Sequence, residues 1–211
     1  MLRNIFLTLL LSTLIGALSA NAVKPSLREF RGVPVKEDPQ EIKEWAEGDS
    51  FEDIFESITV RGSSALPPSE GNYYDASRAH DYKLDSAWIE GAKGDGIGEY
   101  AEYTLRVTTD KHPDDAAVMA LVVFNGYRKN RDLWQKNNRI KRLRLSVNGK
   151  PYGVITLADS YAYQRVKVGS IKLPPHNKTL VLRFTIESVY PGTKYKDTAL
   201  TELAFEGTGI Y

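Results

Sequence analysis

Two stretches of the sequence carry residue types that can do chemistry. The first, residues 79–99 (AHDYKLDSAWIEGAKGDGIGE), gathers carboxylates at Asp81, Asp85, Glu90, Asp95 and Glu99 around His80, Trp88 and the glycines Gly91, Gly94, Gly96 and Gly98. Hard oxygen donors at this density suit a loop that holds an ion or a ligand. The glycines lack the Gly-Lys-Ser/Thr ending of a phosphate loop, and they precede a strand pattern instead of opening a helix, so they are expected to make tight turns. Trp88, one step past the carboxylates, is expected in the core. The second stretch, residues 125–138 (NGYRKNRDLWQKNN), sets Tyr127 and Trp134 among Arg128, Lys129, Arg131, Lys136 and Asn137. An aromatic ring stacks on the apolar face of a pyranose while guanidinium and amide donors fix its hydroxyls. Tyr190, Lys194 and Tyr195 in the later YPGTKYKD segment have the same character. Two readings stay open: a glycan-contacting surface, or aromatics that pack down beneath a solvated basic face.

Catalytic constellations do not stand out. His80, His112 and His176 are far apart and share no zinc spacing. No nucleophile elbow or Ser-His-Asp set is evident, and without cysteine the chain has no thiol chemistry and no zinc-thiolate site. An enzyme is therefore not expected. The net charge of +1 argues against a general polyanion binder, and so against nucleic acid as partner.

The first residues, MLRNIFLTLLLSTLIGALSANA, place Arg3 ahead of an apolar run and end in small residues at Ala20-Asn21-Ala22. This is the pattern of a secretory leader, with cleavage expected after Ala20 or Ala22, and the run is short for a membrane span of ~20 residues. Export to the periplasm or the extracellular space is the expectation, with no stable membrane span after cleavage. Removal of the leader takes away Arg3 and leaves acids and bases in balance.

Residues 23–56 are polar and interrupted by Pro25, Pro34 and Pro39, and read as an irregular, partly helical N-terminal arm. Residues 39–46 (PQEIKEWA) suit two helical turns, and 50–53 (SFED) resembles a capping box. Trp45, Phe51 and Phe55 would dock the arm. From residue 57 the apolar period becomes two, at 57–60, 100–107, 139–147 and 152–157, with further strands at 163–168, 180–189 and 200–205. Residues 117–124 (AVMALVVF) are continuously apolar, as a strand buried on both faces would be. Asn148-Gly149 is a hairpin turn signal. Ordinary composition, 42% hydrophobic and 26% charged over 211 residues, supports one well-cored domain. The expected fold is all-β: an antiparallel jelly-roll β-sandwich of about eight strands over 57–211, behind the leader (1–22) and the arm (23–56).

Residues 79–88 (AHDYKLDSAW) resemble the A-x-D-G-x-x-x-T-x-W signature of discoidin, or factor 5/8 type C, domains, departing at Tyr82, where glycine is usual. A closer resemblance is to the glycan-binding translocation domain of bacterial NAD glycohydrolase. It is carried in order by LPP (66–68), GDGIGEY (94–100), FNGYRKN (124–130), NNRIKRLRL (137–145), LAD (157–159) and SVYPGTKYKDTALTEL (188–203). The resemblance implies a galactose-binding-like jelly roll with binding loops at one end, while NAD glycohydrolase activity belongs to a separate segment and is not implied. It also implies a structural calcium ion. The ligands would be the Arg78 and Lys83 carbonyls, Asp81, Ser86, the Thr201 carbonyl and Glu202. The functional expectation is a non-catalytic module that recognises a glycan or other cell-surface component through Tyr127, Arg128, Trp134, Asn137, Tyr190 and Tyr195. The alternative is a protein-interaction or envelope-structural module with no small ligand.

Overall fold

In the computed structural model, residues 26–38, 42, 51–107, 116–175 and 178–208 are described. The leader, all of the helix expected at 39–46 except Ile42, and Trp45, His112 and His176 lie outside them. The strands are β1 (Arg28–Pro34), β2 (Phe55–Gly62), β3 (Trp88–Ile89), β4 (Tyr100–Val107), β5 (Ala117–Asn125), β6 (Asn138–Val147), β7 (Lys150–Thr156), β8 (Gln164–Lys172), β9 (Thr179–Tyr190) and β10 (Thr198–Thr208). A short helix, α1 (Arg131–Lys136), and the 3₁₀ turns Phe51–Ile54 and Ala76–His80 complete the described elements.

The all-β sandwich is confirmed. One face is β2-β4-β9-β6-β7 and the other β8-β5-β10-β3. Neighbours are antiparallel except at two joints between the faces. Asn138 and Arg139 of β6 pair in parallel with Thr198 and Ala199 of β10, and β1 runs parallel to β7 before turning antiparallel to β8. The core lies between the faces, where Tyr103 of β4 sets its ring edge against Phe184 of β9 at 5.6 Å and Phe205 of β10 at 5.5 Å. β5, the continuous apolar run, lies between β8 and β10 and is buried except at Met119. Asn148 and Gly149 both take positive φ in the β6–β7 turn, as that hairpin geometry requires.

The arm differs from its irregular reading. Arg28–Pro34 is a strand, because the edges of β7 and β8 supply the hydrogen bonds that its proline-flanked sequence does not advertise. Residues 125–138 are also shorter as a loop than their polarity implies. β5 runs to Asn125, β6 starts at Asn138, and Asn130 caps α1 by accepting the Leu133 N–H at 2.8 Å.

Asn125 substitutes for a missing strand neighbour. Its buried side chain accepts the Ile140 N–H at 2.9 Å and donates to the Ile140 carbonyl at 2.8 Å. Asn125→Ala leaves two buried backbone groups unpaired, at about 1–3 kcal/mol each. Urea unfolding is expected to show a loss of that order, whereas Lys150→Ala on the exposed hairpin should lie within ~0.5 kcal/mol of the parent.

Candidate functional site

The loop at the end of the sandwich is shaped by the turn at Ala76–His80. Asp75 opens it by accepting the Ser77 N–H at 3.2 Å. Just beyond, Tyr82 has φ of 57°, the left-handed conformation in which glycine is favoured, so the family's usual glycine and this tyrosine meet the same backbone demand. The tyrosine gains a partner that glycine lacks, since its hydroxyl donates to Glu52.

Under this turn lies a buried polar cluster. The His80 ring has Nε2 3.5 Å from Glu52 and Nδ1 3.4 Å from Glu202, and Nδ1–H also reaches the Leu203 carbonyl at 3.1 Å. Both ring nitrogens face acceptors, the arrangement of an imidazolium between two carboxylates. Glu52 accepts the Phe205 N–H at 2.6 Å, and Glu202 Oε2 accepts the Asp81 and Tyr82 N–H groups at 3.2 and 2.9 Å. Burial pushes Glu52 up to about 7 against the opposing pull of His80, and burial also raises Glu202. For His80, burial acts downward, but the facing Glu202 and Glu52 carboxylates and the Leu203 carbonyl outweigh it and the pKa is raised.

The structure brings most of the expected calcium ligands to this turn, but their donors face inward on one another. Asp81 accepts from Ser86 Oγ at 2.8 Å and the Lys83 N–H at 3.1 Å, with Arg78 Nη1 3.4 Å away. Glu202 Oε1, fully buried and with no hydrogen-bond partner, has the His80 ring beside it. The Thr201 hydroxyl donates to the Gly126 carbonyl at 2.7 Å and accepts the Arg128 N–H at 2.9 Å. Among the described residues no group of three or more His, Cys, Asp or Glu side chains could hold a metal. Asp81 and Glu202 thus already face protein groups, with the His80 imidazole beside the Glu202 carboxylate.

The glycine run is turn geometry. Gly94, Gly96 and Gly98 take positive φ, and a Cβ at Gly96 would come within 2.5 Å of the buried Glu90 carboxyl group. Glu90 in turn accepts the Ala92 and Thr198 N–H groups. Trp88 is core, with its Nε1 donating to the Ser64 carbonyl at 2.9 Å.

Above the turn opens a polar cleft of about 220 Å³, lined among others by Tyr73, Arg78, Lys83, Asp85, Tyr127 and Lys129. Tyr73 is 59% exposed, and the Arg78 guanidinium lies 5.8 Å from its ring centre. Lys129 Nζ donates to Asn72 at 2.7 Å. Burial, with Tyr74 and Asp85 nearby, pushes the Tyr127 hydroxyl up to about 12, which keeps it a proton donor. Arg78 is paired with Asp75 at 3.5 Å and Asp81 at 3.4 Å, while Lys83 and Lys129 share the lining with Asp85.

Of the residues expected to touch glycan, Tyr127 alone lines this cleft. Trp134 is not an open platform. It is 8% exposed, donates from Nε1 to the Asn125 carbonyl at 2.9 Å and packs between Tyr161 and the Arg139 guanidinium. Arg128 is buried against Phe124, Tyr161 and Glu37, and Asn137 donates to the Leu133 carbonyl at the end of α1. The half-buried Tyr190 donates to the Leu157 carbonyl at 3.0 Å. Tyr195 is exposed, on a segment whose backbone N–H groups bond α1. The residues that the sequence reading passed over are Tyr73, which had a signal as part of an aromatic pair after the Glu70-Gly71-Asn72 turn, and Glu52, which had none.

A family model described as the NAD glycohydrolase translocation F5/8 type C domain matches residues 52–206. The architecture and this match define the class, an F5/8 type C β-sandwich, from a family of binding modules. The chain belongs to the NAD glycohydrolase translocation F5/8 type C domain family. No curated protein matches it. Among solved structures, three cryo-EM structures of the arabinofuranosyltransferase AftD from Mycobacteria are similar, at 17%, 17% and 18% identity with TM-scores of 0.45, 0.43 and 0.42. Each alignment covers 73% of this chain and 11–12% of that enzyme.

Two measurements check the cluster. With Glu52, His80 and Glu202 all raised, the folded protein binds more protons than the unfolded chain between about the ordinary carboxylate value of 4.5 and 7. Stability then falls as pH rises through that interval. The melting temperature is expected to drop by several degrees from pH 5 to pH 8, and Glu52→Gln should flatten the profile. For the metal, EDTA treatment is expected to leave the melting temperature unchanged within ~1 °C; a calcium-restored gain of several degrees would show that the ion rearranges the turn.

Proposed function

We propose that this chain is an exported, non-catalytic binding module that takes an acidic glycan in the cleft at the loop end of its sandwich. One observation carries the reading: the exposed ring of Tyr73 stands beside Arg78, Lys83 and Lys129, with the Tyr127 hydroxyl and Asp85 on the same wall. A ring can stack on a pyranose face, the hydroxyl and carboxylate fix sugar hydroxyls, and the Lys83 and Lys129 ammonium groups favour a sugar carrying a carboxylate or phosphate. The leader-like sequence and membership in a translocation-domain family support export. No helix among the described residues is long and apolar enough to cross a membrane.

A glycan array that includes uronic, sialylated and phosphorylated sugars tests the reading. Binding is expected to concentrate on the acidic sugars and to weaken with salt. Tyr73→Ala and Lys129→Ala should each lower affinity about tenfold, or ~1.4 kcal/mol, without moving the melting temperature. Silence across the array would favour a protein partner instead.

A further inference from the structure

The loop 126–130 supplies two residues of the cleft wall, Tyr127 and Lys129, with Arg128 between them. Its backbone is held from beneath. The Gly126 N–H donates to the Ala199 carbonyl at 3.2 Å. The Thr201 hydroxyl joins the Gly126 carbonyl to the Arg128 N–H, at 2.7 and 2.9 Å. Gly126 itself takes φ of 81°, and a Cβ there would come within 2.7 Å of the Trp134 and Arg139 side chains. Arg128 does not line the cleft. Its guanidinium, 4% exposed, lies over the Phe124 and Tyr161 rings at 4.9 and 4.5 Å.

An arginine keeps its charge at any working pH, and a buried charge is costly unless it is paired. The carboxylate that pairs with Arg128 comes from Glu37, which stands ahead of residues 52–206, the span of the family domain. Glu37 Oε1 accepts from Arg128 Nη2 at 2.7 Å and from the Tyr163 N–H at 3.0 Å. Arg128 Nε and Nη1 have no hydrogen-bond partner among the described residues, so Glu37 is the one carboxylate there that answers this charge. Glu37 is in turn placed by backbone. β1 is laddered to β7 and β8, and just past it the Val35 N–H donates to the Tyr163 carbonyl at 2.9 Å. The Tyr161 hydroxyl donates to the Arg128 carbonyl at 3.3 Å.

We infer that Glu37 is a positioning residue for the cleft. By pairing with Arg128 it keeps the loop 126–130 turned so that Tyr127 and Lys129 face the ligand. Residues 28–37 then belong to the binding unit, although they precede the family domain. The inference rests on the cleft reading for what is bound, but not for the geometry of the loop. Without Glu37 no carboxylate pairs the guanidinium inside, and its charge is drawn outward to water. Tyr127 and Lys129, the immediate neighbours, move with it, and Lys129 leaves Asn72, which it meets at 2.7 Å. The cause is charge and not packing. An apolar side chain at position 128 would lie between the same two rings with no need of Glu37.

Native-state amide hydrogen exchange on the full chain, resolved to single residues by NMR, tests this without any ligand. Glu37→Ala should lower the protection of the Gly126 and Arg128 amides about tenfold, while amides in β4 and β9 keep the parent's values. Glu37→Gln keeps the acceptor and loses the charge, so it should show the same loss in smaller measure, and it carries the test if the alanine variant does not fold. Adding Arg128→Met to Glu37→Ala should restore the protection. Glu29→Ala, which removes an exposed carboxylate of β1, should leave it unchanged. On the uronic, sialylated and phosphorylated sugars of the array, Glu37→Ala should lower affinity about tenfold and the double variant should recover it. Unchanged protection in both Glu37 variants overturns the inference. So does an even loss across β4 and β9, which marks a global weakening, or a double variant that does not recover. Parent-level binding alongside lost protection overturns it as well, because the loop would then not set the cleft. A parent that binds no sugar sinks the glycan reading alone, since the exchange result stands by itself.

Discussion

Glu202 on the last strand takes the backbone N–H groups of Asp81 and Tyr82 on one oxygen and faces the His80 ring with the other. Through those contacts a strand near the chain's end fixes a turn more than a hundred residues earlier, and that turn presents Arg78, Lys83 and Asp85 to the cleft. Glu52, from the segment ahead of β2, closes the cluster through His80, the Tyr82 hydroxyl and the Phe205 N–H. A buried carboxylate is costly unless paired and hydrogen-bonded. Here the cost is offset by a shared imidazole and by backbone donors that would otherwise be orphaned at the turn.

This arrangement explains how a chain without disulfides holds a loop-rich end in a defined shape. Fixation works at several levels. Glu90 gathers the glycine-rich loop onto Thr198, Asn125 replaces a strand neighbour for Ile140, and Arg139 is held by Asp159 and the Pro191 carbonyl over the Trp134 ring. In each case a buried polar side chain satisfies backbone groups where the ladder is interrupted. Trp134 and Arg128 are drawn into this support and face inward, while Tyr127 and Lys129 of the same stretch line the cleft with residues of 71–86.

Much of the sandwich was legible from alternation. The strands at 100–107, 117–124, 139–147 and 180–189 lie within or match observed elements, because a half-buried strand writes a period of two and a doubly buried one writes a continuous apolar run. Local turn chemistry was legible too: Asn148-Gly149 and the positive-φ glycines follow from backbone sterics alone. β1 was hidden, because its hydrogen-bond partners are β7 and β8, more than a hundred residues away, and its exposed side chains carry no strong pattern.

The sequence by itself determined the all-β class, the order of most strands, the core placement of Trp88 and the concentration of chemistry near residues 79–99. Those properties depend on hydrophobic period, turn residues and local motif. Only the tertiary structure decided which polar groups are spent inside the fold and which face solvent. Composition does not distinguish a tryptophan that stacks on a ligand from one that bonds a neighbouring carbonyl, nor a carboxylate that awaits a cation from one already facing an imidazole. That difference rests on distances between residues far apart in the chain, and in this molecule it moves the candidate site from Trp134 and Arg128 to the cleft beside Tyr73.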